Sequence, residues 1–232
     1  MMLPPSFWAV LPAAGVGARM AADRPKQYLP LAGKTLIEHT LGCFLGHPAL
    51  KGVVVSLAET DPYWPTLACA QDARIRRAAG GAERAESVLN ALMLLAAEGA
   101  GDDDWVLVHD AARPNLARGD LDHLLATLAD DPVGGLLAVP VRDTLKSAGA
   151  DGRVNRTIDR STVWQAFTPQ MFRLGPLLRA IADAQVARVA VTDEASAMEW
   201  AGLAPRLVEG RADNLKVTRP EDLEWLRLRW QV

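Results

Sequence analysis

The chain has 232 residues, of which 50% are hydrophobic and 23% are charged. This length and composition fit one globular domain with a sizeable core, so we predict a single domain over residues 1–232. A formal net charge of −3 argues against a nucleic-acid-binding protein, whose surface is broadly cationic. The N-terminus lacks a basic signal segment, and the apolar stretches are too short or too interrupted to span a bilayer. We therefore expect a cytoplasmic protein with no membrane partner.

The two cysteines, Cys43 and Cys69, have neither the spacing of a zinc site nor that of a disulfide framework. The four histidines form no ligand pattern with them. Cys43 lies in an apolar helical stretch and is predicted to belong to the core.

Apolar periodicity predicts strands that alternate with helices along the chain. The predicted strands occupy residues 7–11, 52–57, 74–78, 105–108, 134–139, 205–208 and 215–217. The predicted helices occupy residues 36–45, 63–71, 84–98, 120–128, 174–186, 192–200 and 221–230. Thr35 and Thr192 are the expected N-caps of two of these helices, and residues 218–221 form a capping box before the last. Strands separated by helices indicate the α/β class, with a Rossmann-like, mostly parallel sheet flanked by helices.

The polar segments that follow strands are expected to converge, because ligands bind beyond the carboxyl ends of the strands in such sheets. These segments are residues 12–26, 80–81 and 109–113. The first segment contains two cations, Arg19 and Lys26. It also contains small residues, where backbone can approach a ligand closely and donate N–H groups to phosphate oxygens: Ala13, Ala14, Gly15 and Gly17. The combination predicts a triphosphate site.

Two familiar nucleotide-binding loops do not match this segment. A Rossmann fingerprint needs Gly or Ala at the position of Met20. A Walker A loop ending in Gly33, Lys34 and Thr35 needs Gly at the position of Tyr28. Taken alone, the segment is explained equally well by a Gly-Ala turn with surface cations.

Four charged side chains near predicted strand ends are candidate ligands of a metal ion or an anion. Asp110 follows a strand and is a candidate Mg²⁺ ligand, although an aspartate at that point can also cap a turn. Arg113 suits either an anionic substrate or a surface salt bridge. Asp213 is a candidate second metal ligand and Lys216 a candidate phosphate contact, although each alone is more often a solvated charge.

Residues 143–164 break the alternation of strands and helices. A Gly-rich turn at residues 149–152 separates two polar, strand-like pieces, which predicts a β-hairpin arm. The arm has too few apolar residues for a pair of core strands, so we expect it to pack against a second subunit. Lys146, Arg156 and Arg160 make the arm cationic, which suits either a ligand site or a solvated surface.

Eight motifs occur in a fixed order along the chain. They are PAAGVGARM, RPKQYLPLAGKTLIEHT, GGAERAESV, WVLVHDAARP, PVRDTLK, IDRSTVWQAFTPQMF, TDEASAMEW and EGRADNLKVTRPEDL. From about Val10 to Leu226, the chain closely resembles the 2-C-methyl-D-erythritol 4-phosphate cytidylyltransferase family of the non-mevalonate isoprenoid pathway. It departs from that family's pattern at Ala18 and Ala82, where relatives often carry a polar or charged residue.

The resemblance implies a nucleotide-diphospho-sugar transferase type of fold and a reaction of CTP with methylerythritol 4-phosphate that releases pyrophosphate, with Mg²⁺ as cofactor. It implies four catalytic residues, namely Arg19, Lys26, Arg160 and Lys216. It implies nucleotide contacts at Ala13, Ala14, Gly15, Gly17, Arg19, Lys26, Gly81, Ala82 and Ser87. It implies acceptor contacts at Asp110, Arg113, Thr144, Arg160, Thr192 and Lys216. The arm matches a hairpin that interlocks two subunits of a homodimer, so Thr144 and Arg160 are expected to serve the neighbour's site.

Two other functions are compatible with parts of this pattern. One is a related cytidylyltransferase that acts on another polyol phosphate, such as ribitol 5-phosphate. The other is a nucleotide-binding module without catalytic activity. The presence of Arg19, Lys26, Asp110 and Lys216 together argues against the non-catalytic module.

Overall fold

A computed structural model describes residues 4–15, 20 and 23–231 of the chain. Its strands in chain order are β1 (Phe7–Pro12), β2 (Pro30–Leu31), β3 (Lys34–Thr35), β4 (Leu50–Leu57), β5 (Ile75–Ala79), β6 (Trp105–Val108), β7 (Gly134–Pro140), β8 (Leu145–Ala148), β9 (Val154–Ile158), β10 (Trp164–Arg173) and β11 (Arg206–Glu209). Its α-helices are α1 (Leu36–Leu45), α2 (Arg84–Ala97), α3 (Arg118–Leu128), α4 (Leu174–Val186), α5 (Glu194–Trp200) and α6 (Pro220–Trp230). The predicted site residues Gly17 and Arg19 lie outside the described residues.

A seven-stranded mixed sheet forms the centre of the fold, in the order β11-β7-β10-β6-β1-β4-β5. β1 pairs in parallel with β4 and β6, β4 with β5, and β7 with β11. β10 is antiparallel to both of its neighbours, β6 and β7. The predicted α/β class with a mostly parallel sheet is therefore confirmed.

Apolar side chains on both faces of the sheet form two packed layers. In β1, Ala9 and Leu11 belong to one layer and Val10 to the other, because successive side chains of a strand point to opposite faces. Helices α1 and α3 cover the first layer, while α2, α4 and α5 cover the second. Strands buried on both faces read as continuous apolar runs, which is why β1, β4, β6 and β7 were recognisable in the sequence.

Five features of local structure differ from the sequence predictions. The N-cap of the last helix is Arg219 with Asp222 at its N3 position, so the capping box lies one residue after the predicted residues 218–221. Residues 63–71 form two short 3-10 turns, Trp64–Thr66 and Ala68–Gln71, because the chain is extended between them at Leu67. Residues 215–217 form no strand. Asp193, and not Thr192, caps α5, since its side chain accepts the Ser196 N–H at 2.9 Å. The sequence pattern also missed β10, whose buried Thr168 and Gln170 interrupt the apolar alternation of a strand.

The predicted hairpin arm is present between β7 and β10. Its strands β8 and β9 form an antiparallel two-stranded sheet in which Leu145 lies opposite Ile158, and among the described residues they pair with no other strand. Most of the arm is exposed, and Val154 retains 62% of its accessible surface. Within the residues that the structure describes, no helix is long and apolar enough to cross a membrane.

Candidate active site

A cavity of about 570 Å³ opens at the carboxyl ends of β1 and β6, beside the start of α2. It is called the main cavity here, and it is lined by Pro12, Ala14, Gly15, Lys26, Gln27, Gly81, Ala82, Glu83, Arg84, Ser87, Asp110, Ala111, Ala112 and Lys216. The three polar segments that were expected to converge all contribute to this lining. The predicted convergence of these segments is therefore observed, and it occurs at the main cavity.

Backbone hydrogen bonds hold the small-residue segment after β1 against the neighbouring strand. The Ala13 N–H donates to the Ser56 carbonyl at 2.9 Å, and the side-chain amide of Gln27 donates to the Ala13 carbonyl at 2.6 Å. Gly80 approaches the same segment so closely that a Cβ at Gly80 would lie 2.2 Å from the Ala14 Cβ. Only glycine fits there, and the close approach brings the Gly81 turn to the edge of the cavity.

Ser87 connects the Gly81 turn to helix α2. Its hydroxyl accepts the Gly81 N–H at 2.9 Å and donates to the Glu83 carbonyl at 3.2 Å. The Ser87 carbonyl in turn accepts the Ser56 hydroxyl at 2.6 Å. The predicted nucleotide contact at Ser87 thus borders the cavity, and its hydroxyl also shapes the turn.

Lys26 extends into the main cavity from a short 3-10 turn, Lys26–Tyr28. Its ammonium group donates to the Val217 carbonyl at 3.1 Å. This contact joins the first segment of the chain to the C-terminal segment that carries Lys216. Two predicted catalytic lysines therefore line the same cavity.

Asp110 is the centre of a cluster of charges on the cavity wall. Its Oδ1 accepts from Arg84 Nε at 3.1 Å, and its Oδ2 accepts from Arg113 Nε at 3.1 Å and from Lys216 Nζ at 2.9 Å. Burial alone would raise the pKa of this carboxyl, but the attraction of Arg84, Lys216 and Arg113 outweighs burial and lowers the pKa. Asp110 is therefore a permanent anion that holds three cations in place.

A second, smaller depression lies on the other side of this cluster. It has a volume of about 320 Å³ and is lined by Arg113, Val139, Gln165, Phe167, Ala212, Asn214, Leu215, Lys216, Thr218, Arg219 and Asp222. Lys216 lines both this depression and the main cavity. Arg113 is further fixed by a hydrogen bond from Nη1 to the Asn214 carbonyl, at 2.8 Å.

The buried imidazole of His109 supports the backbone beneath Asp110. Its Nε2 lies 3.0 Å from the Arg113 carbonyl, which can only accept, so Nε2 carries the hydrogen. Nδ1 then accepts from the Thr168 hydroxyl at 3.0 Å, and that hydroxyl accepts the Asp110 N–H at 3.1 Å. Burial lowers the pKa of His109 to about 4, which agrees with this neutral tautomer.

The two carboxylates that were predicted as metal ligands do not fit that role as they stand. Both oxygens of Asp110 are taken by cations, and both oxygens of Asp213 accept from Arg211, at 3.0 and 2.5 Å. Arg229 also lies 3.5 Å from Asp213. Among the described residues, no group of three or more His, Cys, Asp or Glu side chains could hold a metal ion.

Three predicted acceptor contacts line neither the main cavity nor the second depression of their own chain. Thr144 and Arg160 are exposed on the arm, and Thr192 is exposed just before α5. Cys43, by contrast, lies where it was predicted: it packs against the core, and burial raises the pKa of its thiol to about 11. The core placement of Cys43 is therefore confirmed.

Sequence reasoning missed three residues that build the site, namely Gln27, Arg84 and Glu194. The terminal nitrogens of Arg84 bind the two Glu194 oxygens at 2.6 and 3.0 Å, while its Nε binds Asp110. Arg84 and Glu194 lie inside two of the motifs that carry the family resemblance, GGAERAESV and TDEASAMEW. The motifs include both side chains, but only the folded chain shows that the two side chains meet.

Known proteins share this sequence pattern and this fold. A family model described as 2-C-methyl-D-erythritol 4-phosphate cytidylyltransferase matches residues 7–227. The protein of that name from Pseudomonas entomophila (strain L48) is 78% identical over 226 residues, covering 97% of this chain and 96% of its own length. A crystal structure of the Francisella tularensis enzyme is 35% identical with a TM-score of 0.82, covering 98% of this chain and 100% of that one.

A crystal structure of a 4-diphosphocytidyl-2C-methyl-D-erythritol synthase is also similar, with 41% identity, a TM-score of 0.83, and coverage of 98% of this chain and 99% of that chain. These matches cover the sheet, the arm and the main cavity together, and they confirm the resemblance drawn from the eight motifs. The chain belongs to the 2-C-methyl-D-erythritol 4-phosphate cytidylyltransferase family.

Proposed function

We propose that the main cavity and the second depression hold the two substrates of a cytidylyl transfer from CTP to 2-C-methyl-D-erythritol 4-phosphate. The assignment of this reaction rests on family membership over residues 7–227. One observation supports its location: the Asp110 cluster lies between the two depressions, and Lys216 lines both. A nucleotidyl transfer needs the donor and the acceptor to meet at such a junction.

The donor nucleotide occupies the main cavity in this proposal. The backbone around Ala14 and Gly15 and the turn at Gly81 can approach phosphate and cytidine closely, because their side chains are small or absent. Lys26, together with the predicted Arg19, stabilises the charge that develops on the phosphates in the transition state.

The acceptor lies on the side of Lys216 and Arg113. Its phosphate is already anionic, so an oxygen of that phosphate attacks the α-phosphorus of CTP in line without a general base. A bond forms between this oxygen and the α-phosphorus, the bond to the α–β bridging oxygen breaks, and pyrophosphate leaves. Lys216 and Arg113 hold the attacking group, and Asp110 orients both cations. No covalent enzyme intermediate is needed.

The arm completes the neighbour's site in this proposal, so the working form is a homodimer. Two observations support this assignment: Arg160 and Thr144 lie on an exposed hairpin, and neither lines the main cavity of its own chain. A dimer that exchanges arms would bring these two predicted acceptor contacts to the second subunit.

Magnesium remains a prediction from the family resemblance. Asp110 and Asp213 are bound by cationic side chains, so the proposed reaction has no step at a metal held by these two carboxylates. A cytoplasmic location is part of the same proposal, since CTP and the acceptor are small, charged, water-soluble metabolites.

An acceptor panel tests the proposed function. The full chain, CTP and MgCl₂ are mixed with methylerythritol 4-phosphate, ribitol 5-phosphate or no acceptor, at equal concentrations, and pyrophosphate release is measured. We expect release only with methylerythritol 4-phosphate, and omission of MgCl₂ with added EDTA tests the metal requirement. A clear preference for ribitol 5-phosphate, or CTP binding without turnover on either acceptor, would contradict the proposal.

A further inference from the structure

We propose that Arg84 and Glu194 are positioning residues that aim the Asp110 carboxylate at Lys216 and Arg113. The inference rests on the proposed function, because it assigns these two side chains a task in the same site. Neither residue was among the predicted site residues. Both act through Asp110, so neither is assigned a direct contact with the reacting atoms.

Arg84 and the other two cations hold opposite edges of the Asp110 carboxylate. Arg84 Nε donates to Oδ1 at 3.1 Å, whereas Arg113 and Lys216 both bind Oδ2. Rotation of an aspartate carboxylate about its last side-chain bond is soft, so contacts on one oxygen alone would leave its plane poorly determined. With both oxygens held, the carboxylate has one orientation, and so do the two cations beside the second depression.

Glu194 determines which nitrogen of Arg84 faces Asp110. The Glu194 oxygens accept hydrogen bonds from Arg84 Nη1 at 2.6 Å and from Arg84 Nη2 at 3.0 Å. These two bonds leave Arg84 Nε directed at Asp110. This paired geometry is the strong, directional form of an arginine–carboxylate contact. Glu194 is only 1% exposed, so its charge must be compensated by Arg84. The pair therefore stays formed, and Arg84 is kept from turning towards the phosphates of the donor.

The position of Glu194 is in turn set by the central sheet. Gln170 of β10 accepts the Ala195 N–H at 2.7 Å and donates to the Asp193 carboxylate at 2.8 Å. These two bonds attach the first turn of α5 to a buried residue of the longest strand. Gln170 thus holds the residues on both sides of Glu194, and the Glu194 carboxylate binds Arg84, which binds Asp110. Together these contacts form a chain from β10 to Asp110.

The effect of breaking this chain differs from the effect of general destabilisation. Glu194→Gln keeps the size of the side chain but removes one of the two acceptor oxygens and the negative charge. Arg84 is then free to turn a terminal nitrogen towards Asp110 and to compete with Lys216 for it. Acceptor positioning suffers, whereas the small-residue segment that holds the donor is untouched.

The test compares steady-state kinetics of the wild type, Glu194→Gln, Arg84→Lys and the control Arg179→Gln, with methylerythritol 4-phosphate and CTP varied separately. Arg179 pairs with Asp102 at 3.1 Å, but both side chains are exposed, so this control removes an ion pair away from the site. We expect the KM for the acceptor to rise about 10-fold or more in both site variants, because small misplacements at a reacting centre are costly. In Glu194→Gln, the KM for CTP should stay within about 2-fold of the wild type, because Arg84 lines the main cavity and Glu194 does not.

A double-mutant cycle with Asp110→Asn separates a positioning role from a structural one. If Glu194 acts through Asp110, adding Glu194→Gln to Asp110→Asn should change the acceptor KM by less than about 2-fold. The proposal would be overturned if the rises in acceptor KM caused by Glu194→Gln and Asp110→Asn multiplied in the double mutant. It would also be overturned if the two KM values rose equally, or if both site variants were unfolded at the assay temperature. An inactive wild type would instead contradict the proposed function, so the two failures are distinguishable.

Discussion

Asp110 shows at the scale of one residue how a carboxylate can organise an anion-binding site. Three cationic side chains approach it within 3.1 Å, and the local sum of these charges is positive. Without the aspartate, the three cations would repel one another and spread apart. The carboxylate therefore concentrates positive charge at the junction of the two depressions, where phosphate groups are proposed to meet.

Lys26 is the described residue with the clearest proposed role in the transition state. Lys26→Ala should lower kcat by roughly 100-fold or more, because it removes a donor that faces developing charge. The matched control is Lys34→Ala, since Lys34 is exposed on β3 and does not line the main cavity. Steady-state rates with both substrates saturating check the prediction, and a kcat equal to that of the wild type would remove the assigned role.

His109 predicts how the stability of the fold depends on pH. Its pKa is lowered to about 4 in the folded chain, so between about pH 6.5 and pH 4 the unfolded chain binds more protons. Stability should therefore fall as the pH is lowered through this window, by about 3 kcal/mol in total. Protonation of Nδ1 also removes the acceptor of the Thr168 hydroxyl.

Urea unfolding at several values between pH 7.5 and pH 4.5 measures this slope. His47 also has a lowered pKa, mainly through burial, so the slope of the wild type has two contributors of the same sign. His109→Asn isolates one of them. The variant should be less stable at pH 7.5 but should lose less stability on acidification, and an unchanged slope would show that His109 does not cause it.

At the scale of elements, the arm is a hairpin whose strands are not part of the seven-stranded sheet. Trp164 at the start of β10 lies opposite Pro140 at the end of β7, so the arm is an excursion between two paired strands. Its two strands pair with each other and, in the part of the chain that the structure describes, with no strand of the main sheet. An exposed polar hairpin of this kind can be exchanged between subunits without disturbing the sheet that carries it.

Mixing two inactive variants tests the exchange of arms. Arg160→Ala should mainly impair use of the acceptor, and Lys26→Ala should impair catalysis. If arms are exchanged, half of randomly mixed dimers are heterodimers with one intact site, which restores about a quarter of wild-type activity. Arg156→Ala, on the same exposed arm, is the control and should be close to wild type. No recovery in verified mixed dimers would mean that each site uses its own arm.

The sheet explains at the scale of the whole molecule why distant segments form one site. β6 and β1 are adjacent and parallel, so the segments after them, which carry Asp110 and Ala14, meet at the same edge. β4 and β5 continue the parallel order on the other side of β1 and bring the Gly81 turn to that edge. The C-terminal segment closes the cavity through the contact of Lys26 with Val217.

The sequence by itself determined the α/β class, nearly all of the helices, the hairpin arm, the family and the location of the main cavity. These features follow from local sequence patterns, namely apolar periodicity, turn residues and short motifs. The N-cap of α1 at Thr35 is one example, since its partner Glu38 is three residues away. The side-chain contacts of Ser87 with Gly81 and Glu83 are also local.

Only the tertiary structure decided the position of β10 and the partners of the charged residues. β10 was missed because its polar residues bond to remote groups, as Gln170 does with α5. Arg84 lies 26 residues from Asp110 and 110 residues from Glu194, and nothing local selects these partners from the chain's other carboxylates. The order of the strands determines these partners, because it brings the N-terminal ends of α2 and α5 next to the C-terminal end of β6. Charged side chains pair with the opposite charges that the fold brings close to them, and the whole sheet determines which charges are close.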